Sequence, residues 1–276
     1  MSIRKLAVAA VAVAVVALAG PAPAREPDDG GVKIGKRSIF SNLVPAGQIE
    51  QASLAQYNEM TRQAFQRRAL AEDNDPQLQR LRRIFRDLYP GARKFNERAG
   101  EWKWEVNLIK SDQINAFCMP GGKIAFFTGI LDKLKLTDDE VAMIMGHEMG
   151  HALWEHARER AAKTTGTNAL LRIGGGLLFG QAGEVIGAAG AQLASLKYSR
   201  TDETEADLIG MELAARGGYD PRAGITLWEK MSAASKGGPP QFFSTHPSGP
   251  TRINTIKKNL KDVMPLYERA LARKRG

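Results

Sequence analysis

The chain has 276 residues, of which 43% are hydrophobic and 25% are charged. These proportions are ordinary for globular proteins, and they argue against intrinsic disorder and against a polytopic membrane protein. The single cysteine, Cys118, excludes an intramolecular disulfide and any multi-cysteine metal site. The formal net charge of +9 is compatible with nucleic-acid binding, an anionic membrane surface or simple solubility, and composition does not choose among them.

The N-terminus has the three-part pattern of a secretory signal peptide over residues 1–24. Arg4 and Lys5 form a basic start, residues 6–19 are apolar without a break, and residues 22–24 supply the small side chains that a signal peptidase reads. An uncleaved membrane anchor is the alternative, although the apolar run is short for a spanning helix. We therefore expect an exported, periplasmic protein.

The mature chain is predicted to be mostly helical, with a small β-sheet. Apolar residues recur at helical spacing, and the predicted helices span about 48–70, 76–88, 137–160, 199–216, 221–234 and from 250 onward. Alternating apolar residues and turn signals indicate strands at about 102–108, 113–119 and 123–128. Residues 166–194 are rich in Gly and Ala, and we interpret them as a helical hairpin. The predicted fold class is α+β.

The helix that begins near Thr137 carries the clearest chemistry. Thr137 and Glu140 have the spacing of a capping box, and the same helix then contains the sequence HEMGH, residues 147–151. His147 and His151 are four residues apart, so both imidazoles project from one face and reach a single Zn²⁺. Glu148 stands beside the first ligand, where it can act as a general base on water. The alternative is two ordinary histidines and a solvated glutamate.

Zinc in a catalytic site needs a third protein ligand and leaves its fourth position to water. Glu203 and Asp207 are four residues apart on a predicted helix, so Glu203 is the candidate ligand and Asp207 the candidate acceptor for a ligating histidine's N–H. Such an acidic helix face is also typical of a solvated surface. On a continuous helix His156 would lie about 140° from the motif's second histidine, and we expect it to point away. We expect Glu205 to be a solvated charge.

In combination these segments resemble peptidase family M48. The resemblance is carried by Gly146 to His151, by Ser199 to Asp207 and by Thr245 to Pro247, and it covers about residues 115–252. The family contains zinc metalloendopeptidases, among them the CAAX prenyl proteases, the Oma-type mitochondrial proteases, HtpX and the periplasmic BepA- and LoiP-like enzymes. The resemblance implies that His147, His151 and Glu203 bind one Zn²⁺ per chain, with Glu148 as base and Asp207 as the supporting carboxylate.

Three further residues take expected roles from the same resemblance. Asn115 belongs to an edge strand against which a substrate peptide can pair. His246 is expected near the zinc, either as a transition-state donor or as a fourth ligand that shuts the enzyme off. Arg252 is expected to hold the tetrahedral oxyanion. The alternative for this pair is that His246 only caps a loop and Arg252 is a surface cation.

We therefore expect a zincin-like metallopeptidase domain over residues 25–276, with its core at about residues 100–255. It would stand alone, without the membrane helices or helical repeats of other branches of the family. The expected activity is hydrolysis of internal peptide bonds in unfolded or misassembled envelope proteins. The alternative is a non-catalytic, zinc-stabilised assembly factor or chaperone-like binding protein, which has no use for a base at Glu148.

The expected partners are protein and peptide substrates. A peripheral contact with a membrane or with outer-membrane assembly proteins is a further candidate interaction. The last helix is basic, with Lys257, Lys258 and Lys261 on its outer face, but no nucleic-acid motif accompanies these charges. We interpret them as a solvated face and expect no nucleic-acid partner. The oligomeric state stays open at this point.

Overall fold

The computed structural model describes residues 30–164, 198–235, 241–246 and 250–275. The predicted signal peptide and the predicted helical hairpin at 166–194 lie outside these residues, and both stay predictions. Among the described helices, none combines the length and the apolar character needed to cross a bilayer.

The described residues form a mostly helical α+β structure, which confirms the predicted fold class. The helices, numbered in chain order, are α1 (Ala46–Gln66), α2 (Pro76–Leu88), α3 (Ala92–Phe95), α4 (Thr128–Leu134), α5 (Asp138–Leu153), α6 (His156–Thr164), α7 (Arg200–Arg216), α8 (Ala223–Ala234), α9 (Gln241–Thr245) and α10 (Pro250–Arg275). The strands are β1 (Glu105–Ile109), β2 (Ala116–Met119) and β3 (Lys123–Phe127). Short 3-10 turns occur at Ile39–Leu43, Tyr89–Gly91 and Glu97–Gly100.

The three strands form one sheet in the order β1-β3-β2. β1 runs parallel to β3, whereas β2 and β3 pair in antiparallel fashion and form a β-hairpin. α1 covers one face of the sheet, where the Tyr57 hydroxyl donates a hydrogen bond of 2.8 Å to the Ile124 carbonyl. The larger core lies on the other side and is built from α2, α5, α7 and their neighbours, with fully buried side chains that include Leu78, Leu81, Ile84, Leu88, Leu108 and Phe126. Because β2 is the last strand in the order β1-β3-β2, it is an edge strand within the described residues.

The predicted capping box at the start of α5 is confirmed. The Thr137 hydroxyl accepts the Glu140 N–H at 3.3 Å, and the Glu140 carboxylate accepts the Thr137 N–H at 2.9 Å. The predicted end of this helix near residue 160 is wrong. α5 ends at Leu153, Glu155 adopts a left-handed backbone with φ of 62°, and α6 starts a new direction at His156. Because of this break, the side chains of α6 point in directions that a continuous helix would not give them.

α5 and α7 pack with their backbones unusually close together. A Cβ atom added to Gly146 would lie 2.8 Å from the Gly210 carbonyl oxygen, and one added to Gly210 would lie 2.7 Å from the His147 nitrogen. One turn along, a Cβ on Gly150 would lie 3.0 Å from the Cα of Ala206. Small residues at a spacing of four on both helices therefore create the contact. Since the two motif histidines lie on α5 and the acidic pair on α7, this contact sets the distance between them.

We predict that Gly146→Ala lowers the free energy of unfolding by about 1–3 kcal/mol, because the added methyl group meets backbone that cannot rotate away. Gly47→Ala is the matched control, since a Cβ at Gly47, also in a helix, meets nothing within 4 Å. Urea unfolding of both variants and the wild type measures the difference. Equal stability of the two variants would show that the α5–α7 contact is not tightly packed.

Candidate metal centre

Three helical elements bring four metal-binding side chains to one point. His147 and His151 lie one turn apart on α5, Glu203 lies in the first turns of α7, and His246 directly follows α9. Each of the four is at most 3% exposed. One ligand atom from each can be chosen so that all four lie within 4.8 Å of one another. The four residues thus form a buried cluster, which we call the donor cluster.

The donor cluster has the dimensions of a zinc site. The Nε2 atoms of His147 and His151 are 3.1 Å apart, and the Glu203 carboxylate oxygens lie 3.7 Å from the former and 3.5 Å from the latter. Tetrahedral zinc with bonds of about 2.0–2.1 Å separates neighbouring ligand atoms by about 3.3–3.4 Å. Glu203 Oε1 and His246 Nε2 are also buried without a hydrogen-bond partner. Buried polar atoms of this kind are costly unless something binds them, so these residues fit a metal ion.

Asp207 and Arg252 lie behind the donor cluster. Asp207 Oδ1 is 3.0 Å from Nδ1 of His147, so that the imidazole presents Nε2 to the cluster. The Arg252 guanidinium donates two hydrogen bonds to the Asp207 carboxylate, at 2.6 and 2.7 Å, and a third to Glu203. Its Cζ atom lies 3.6 Å from the centroid of the Trp228 ring. The alternative that Arg252 is a surface cation is wrong, because the side chain is 5% exposed and donates to two buried carboxylates. Its expected role at the oxyanion stays a prediction.

Burial and charge together favour neutral imidazoles in the donor cluster. Burial lowers the pKa of His147 to about 4, and the positive charge of Arg252 adds to this effect. Burial raises the pKa of Glu203 to about 8, although Arg252 opposes the increase. Burial also acts against ionised Asp207, but Arg252 outweighs it and the pKa of that carboxyl lies below its usual value. Zinc binds neutral imidazole and ionised carboxylate, and a bound cation would offset the cost of ionising Glu203.

His156 and Glu205 do not lie where the sequence predicted. Because the helix breaks at Glu155, the His156 ring is turned back towards the cluster and is fully buried. Its Nδ1 lies 2.9 Å from Nδ1 of His151, and its Nε2 lies 3.1 Å from the Glu205 carboxylate. The expectations that His156 points away and that Glu205 is a solvated charge are both wrong. His156 thus contacts a side chain of the donor cluster, and Glu205 contacts His156.

Glu148 lies between the donor cluster and the edge strand β2. It is 2% exposed, its Oε1 atom has no hydrogen-bond partner, and it lies 3.5 Å from Nε2 of His246. The backbone N–H of Cys118 in β2 donates a hydrogen bond to it. Burial raises the pKa of Glu148 well above its ordinary value, and the negative charge of Glu203 adds to this. The carboxyl is thus held beside the cluster on the side that faces β2.

A narrow cleft of about 40 Å³ opens in front of Glu148. β2 forms one wall and His246 with Thr245 forms another, and Tyr198 completes the lining. Asn115 lies at the start of the β2 wall, where its side-chain oxygen accepts the Ala116 N–H at 3.0 Å. This volume is the space open to the centres of water molecules, and it holds a few of them.

His246 points its free nitrogen into the donor cluster. Its Nδ1 lies 3.2 Å from the Phe242 carbonyl and 2.7 Å from the Thr245 hydroxyl. Because a carbonyl only accepts, Nδ1 carries the proton that is donated to it and Nε2 keeps its lone pair. The ring also stacks on Phe242, with centroids 4.3 Å apart and planes 17° apart. The side chain is held as a fourth donor.

Comparison with known proteins identifies the family. The family model for peptidase family M48 matches residues 76–260, more than half of the chain. The chain belongs to peptidase family M48. It is 35% identical over 175 residues to mitochondrial metalloendopeptidase OMA1 of Arabidopsis thaliana, a match that covers 63% of this chain and 35% of the relative.

Two bacterial proteins are also similar to this chain. The chain is 30% identical over 150 residues to metalloprotease LoiP of Escherichia coli, covering 53% of this chain and 59% of the relative. It is 28% identical over 174 residues to the beta-barrel assembly-enhancing protease of Escherichia coli, covering 58% of this chain and 35% of the relative. The chain thus spans less than two thirds of the length of each of these relatives.

We predict that Arg252→Met lowers the stability of the metal-free protein by about 3–5 kcal/mol, because it leaves Asp207 and Glu203 buried without their shared cation. Lys257→Met removes an exposed cation from the same helix and is the control. Urea unfolding in the presence of a chelator measures both. If the two variants were equally stable, Arg252 would not be the group that keeps these carboxylates buried.

Proposed function

We propose that the protein is a zinc-dependent metalloendopeptidase that hydrolyses internal peptide bonds. The observation that carries the proposal is the convergence of His147, His151 and Glu203 beside a buried Glu148 that faces an edge strand. Membership of peptidase family M48 supports it. The described residues thus offer a candidate metal-binding cluster, a candidate base and a strand edge around one cleft.

In the proposed mechanism His147, His151 and Glu203 hold the zinc ion. Bound zinc supplies Lewis acidity, which polarises a substrate carbonyl and lowers the pKa of water. Asp207 keeps the His147 ring in the required tautomer through its 3.0 Å contact. Glu148 accepts a proton from the attacking water and delivers it to the leaving amine. Arg252 keeps the carboxylates of Asp207 and Glu203 in place and takes no part in proton transfer.

The proposed substrates are unfolded or misassembled proteins of the bacterial envelope. An edge strand such as β2 binds a peptide through backbone hydrogen bonds, which demand an extended chain but little sequence. A folded protein rarely offers such a segment. The periplasmic location rests on the predicted signal peptide, and the name of the beta-barrel assembly-enhancing relative supports peripheral contact with outer-membrane assembly proteins.

A non-catalytic assembly factor is the second candidate function. The observation that favours it is the fourth donor, His246, because zinc sites with four protein ligands are generally structural. Glu148 argues against it. A buried carboxylate with an unpartnered oxygen is costly to the fold and contributes nothing to a structural site.

We predict that Glu148→Gln keeps zinc but lowers the rate of casein cleavage by about 10²- to 10⁴-fold, because the amide cannot accept the proton. Zinc content by metal analysis and cleavage with and without a chelator give the two readouts. Glu229→Gln, an exposed glutamate of α8, is the control. Cleavage by Glu148→Gln at the wild-type rate would remove the base assignment. If neither the zinc-loaded wild type nor the zinc-loaded His246→Ala variant cleaved casein, the result would favour the assembly-factor function instead.

We further predict that His246→Ala raises basal cleavage of an unfolded substrate several-fold. The imidazole fills the position that water would need, and its removal also widens the cleft. Ser244→Ala, which alters the same short segment outside the donor cluster, is the control. The initial rate of casein digestion is the measurement. A zinc-loaded His246→Ala variant with lower activity would show that His246 stabilises the transition state instead of inhibiting.

A further inference from the structure

The two histidines of α5 are supported in different ways. His147 has a carboxylate, Asp207, directly on its outer nitrogen at 3.0 Å. For His151, no carboxylate of the described residues lies at this position; its Nδ1 is 2.9 Å from Nδ1 of His156, and Nε2 of His156 is 3.1 Å from the Glu205 carboxylate. The imidazole of His156 thus lies between His151 and the carboxylate of Glu205. Neither His156 nor Glu205 has a part in the mechanism described above.

The direction of these hydrogen bonds follows from the acid at the outer end. A carboxylate can only accept, so the Nε2 atom of His156 carries a proton and donates it to Glu205. In a neutral imidazole the other nitrogen, Nδ1, then carries no proton and can only accept a hydrogen bond. Nδ1 of His151 lies 2.9 Å from it and must therefore carry the proton that is donated. The Nε2 atom of His151 is left with a lone pair, and it is this atom that lies within the donor cluster.

The position of the His151 ring is fixed by two different contacts. The Tyr198 ring stacks on it, with centroids 3.8 Å apart and planes 21° apart, and this sets the plane of the imidazole. Stacking does not distinguish the two orientations that a 180° flip about the Cβ–Cγ bond exchanges. The hydrogen bond to His156 does, because it fixes the direction of Nδ1 and therefore of Nε2. His156 itself is fully buried and starts α6, directly after the left-handed Glu155.

We propose that His156 and Glu205 are positioning residues that set the tautomer and orientation of His151, and thereby the zinc affinity of the centre. The proposal rests on the proposed zinc centre but not on proteolysis. Outer partners of ligating histidines typically change metal affinity by about ten- to hundredfold when they are removed. The structure assigns that role here to a hydrogen-bonded chain of two side chains.

The test measures the zinc dissociation constant by competition with a chelator. His156→Phe keeps a ring but offers His151 no acceptor, and we expect affinity to fall about ten- to hundredfold. His156→Asn places an amide oxygen near the position of Nδ1 and should recover most of the loss. Glu205→Ala should weaken binding in the wild-type background but have no further effect in the His156→Asn background. Glu159→Ala, which removes an acid of α6 paired with Lys163, is the control.

A second readout separates positioning from packing. Imidazole ¹⁵N chemical shifts of the zinc-loaded protein should show a protonated Nδ1 on His151 in the wild type and in His156→Asn. If His156→Phe does not fold, the half-buried Glu205 still allows the Glu205→Ala comparison. The proposal is overturned if Glu205→Ala binds zinc with wild-type affinity. It is also overturned if His156→Phe folds and His156→Asn binds zinc no more tightly than it does.

Metal stoichiometry gives a further way to contradict it. The ligand atoms of His156, Asp202 and Glu205 also lie within 4.8 Å of one another, so these residues could instead hold a second ion. Two zinc ions per wild-type chain, with one lost in Glu205→Ala, would replace the hydrogen-bonded chain by a second metal site. A wild type that binds no zinc would overturn the proposed function as well. Zinc binding without casein cleavage would leave this inference standing while the proposed proteolysis failed.

Discussion

The close approach of α5 and α7 is the constraint on which the rest of the centre depends. Gly146 and Gly210 meet backbone to backbone, and any side chain at either position would collide with main-chain atoms of the opposite helix. Because the helices are this close, Nε2 of His147 on α5 and Oε2 of Glu203 on α7 lie only 3.7 Å apart. A wider separation would place the ligands beyond the spacing that zinc requires. The small residues of the motif are therefore as much a part of the metal centre as its histidines.

Such close packing brings several ionisable groups into a dry interior, and their charges must be balanced there. Arg252 does this from α10 by donating to Asp207 and Glu203 together, while the Trp228 ring covers the guanidinium. Each carboxylate then has a second function, since Asp207 holds His147 and Glu203 contributes a donor atom. The C-terminal helix is thus coupled to the site through one side chain. A substitution that alters this ion pair acts on folding and on metal binding at once.

Much of this arrangement can be predicted from the spacing of residues along regular helices, and the two exceptions have different causes. Residues four apart on a helix share a face, so the pairing of His147 with His151 and of Glu203 with Asp207 needed only regular helices. His156 was misplaced because Glu155 adopts a left-handed backbone that no Gly, Asn or Pro announces. Once the helix breaks there, angles counted along a continuous helix no longer apply. The two carboxylate partners of Arg252 were not predicted for a different reason: they lie far away in sequence, and contacts of that kind appear only in three dimensions.

The two sides of the donor cluster serve opposite needs. Behind it, Arg252, Asp207 and the hydrogen-bonded chain through His156 restrict the ligands to one geometry, which favours tight metal binding. In front of it, Glu148 and β2 line a small cleft, with His246 on another wall. Because β2 is hydrogen-bonded to β3 along its length, we expect a bound peptide to widen this cleft on the α9 side. Since His246 is also the fourth donor, the same displacement would open the cleft and free a coordination position. Substrate entry and exposure of the metal would then be a single event.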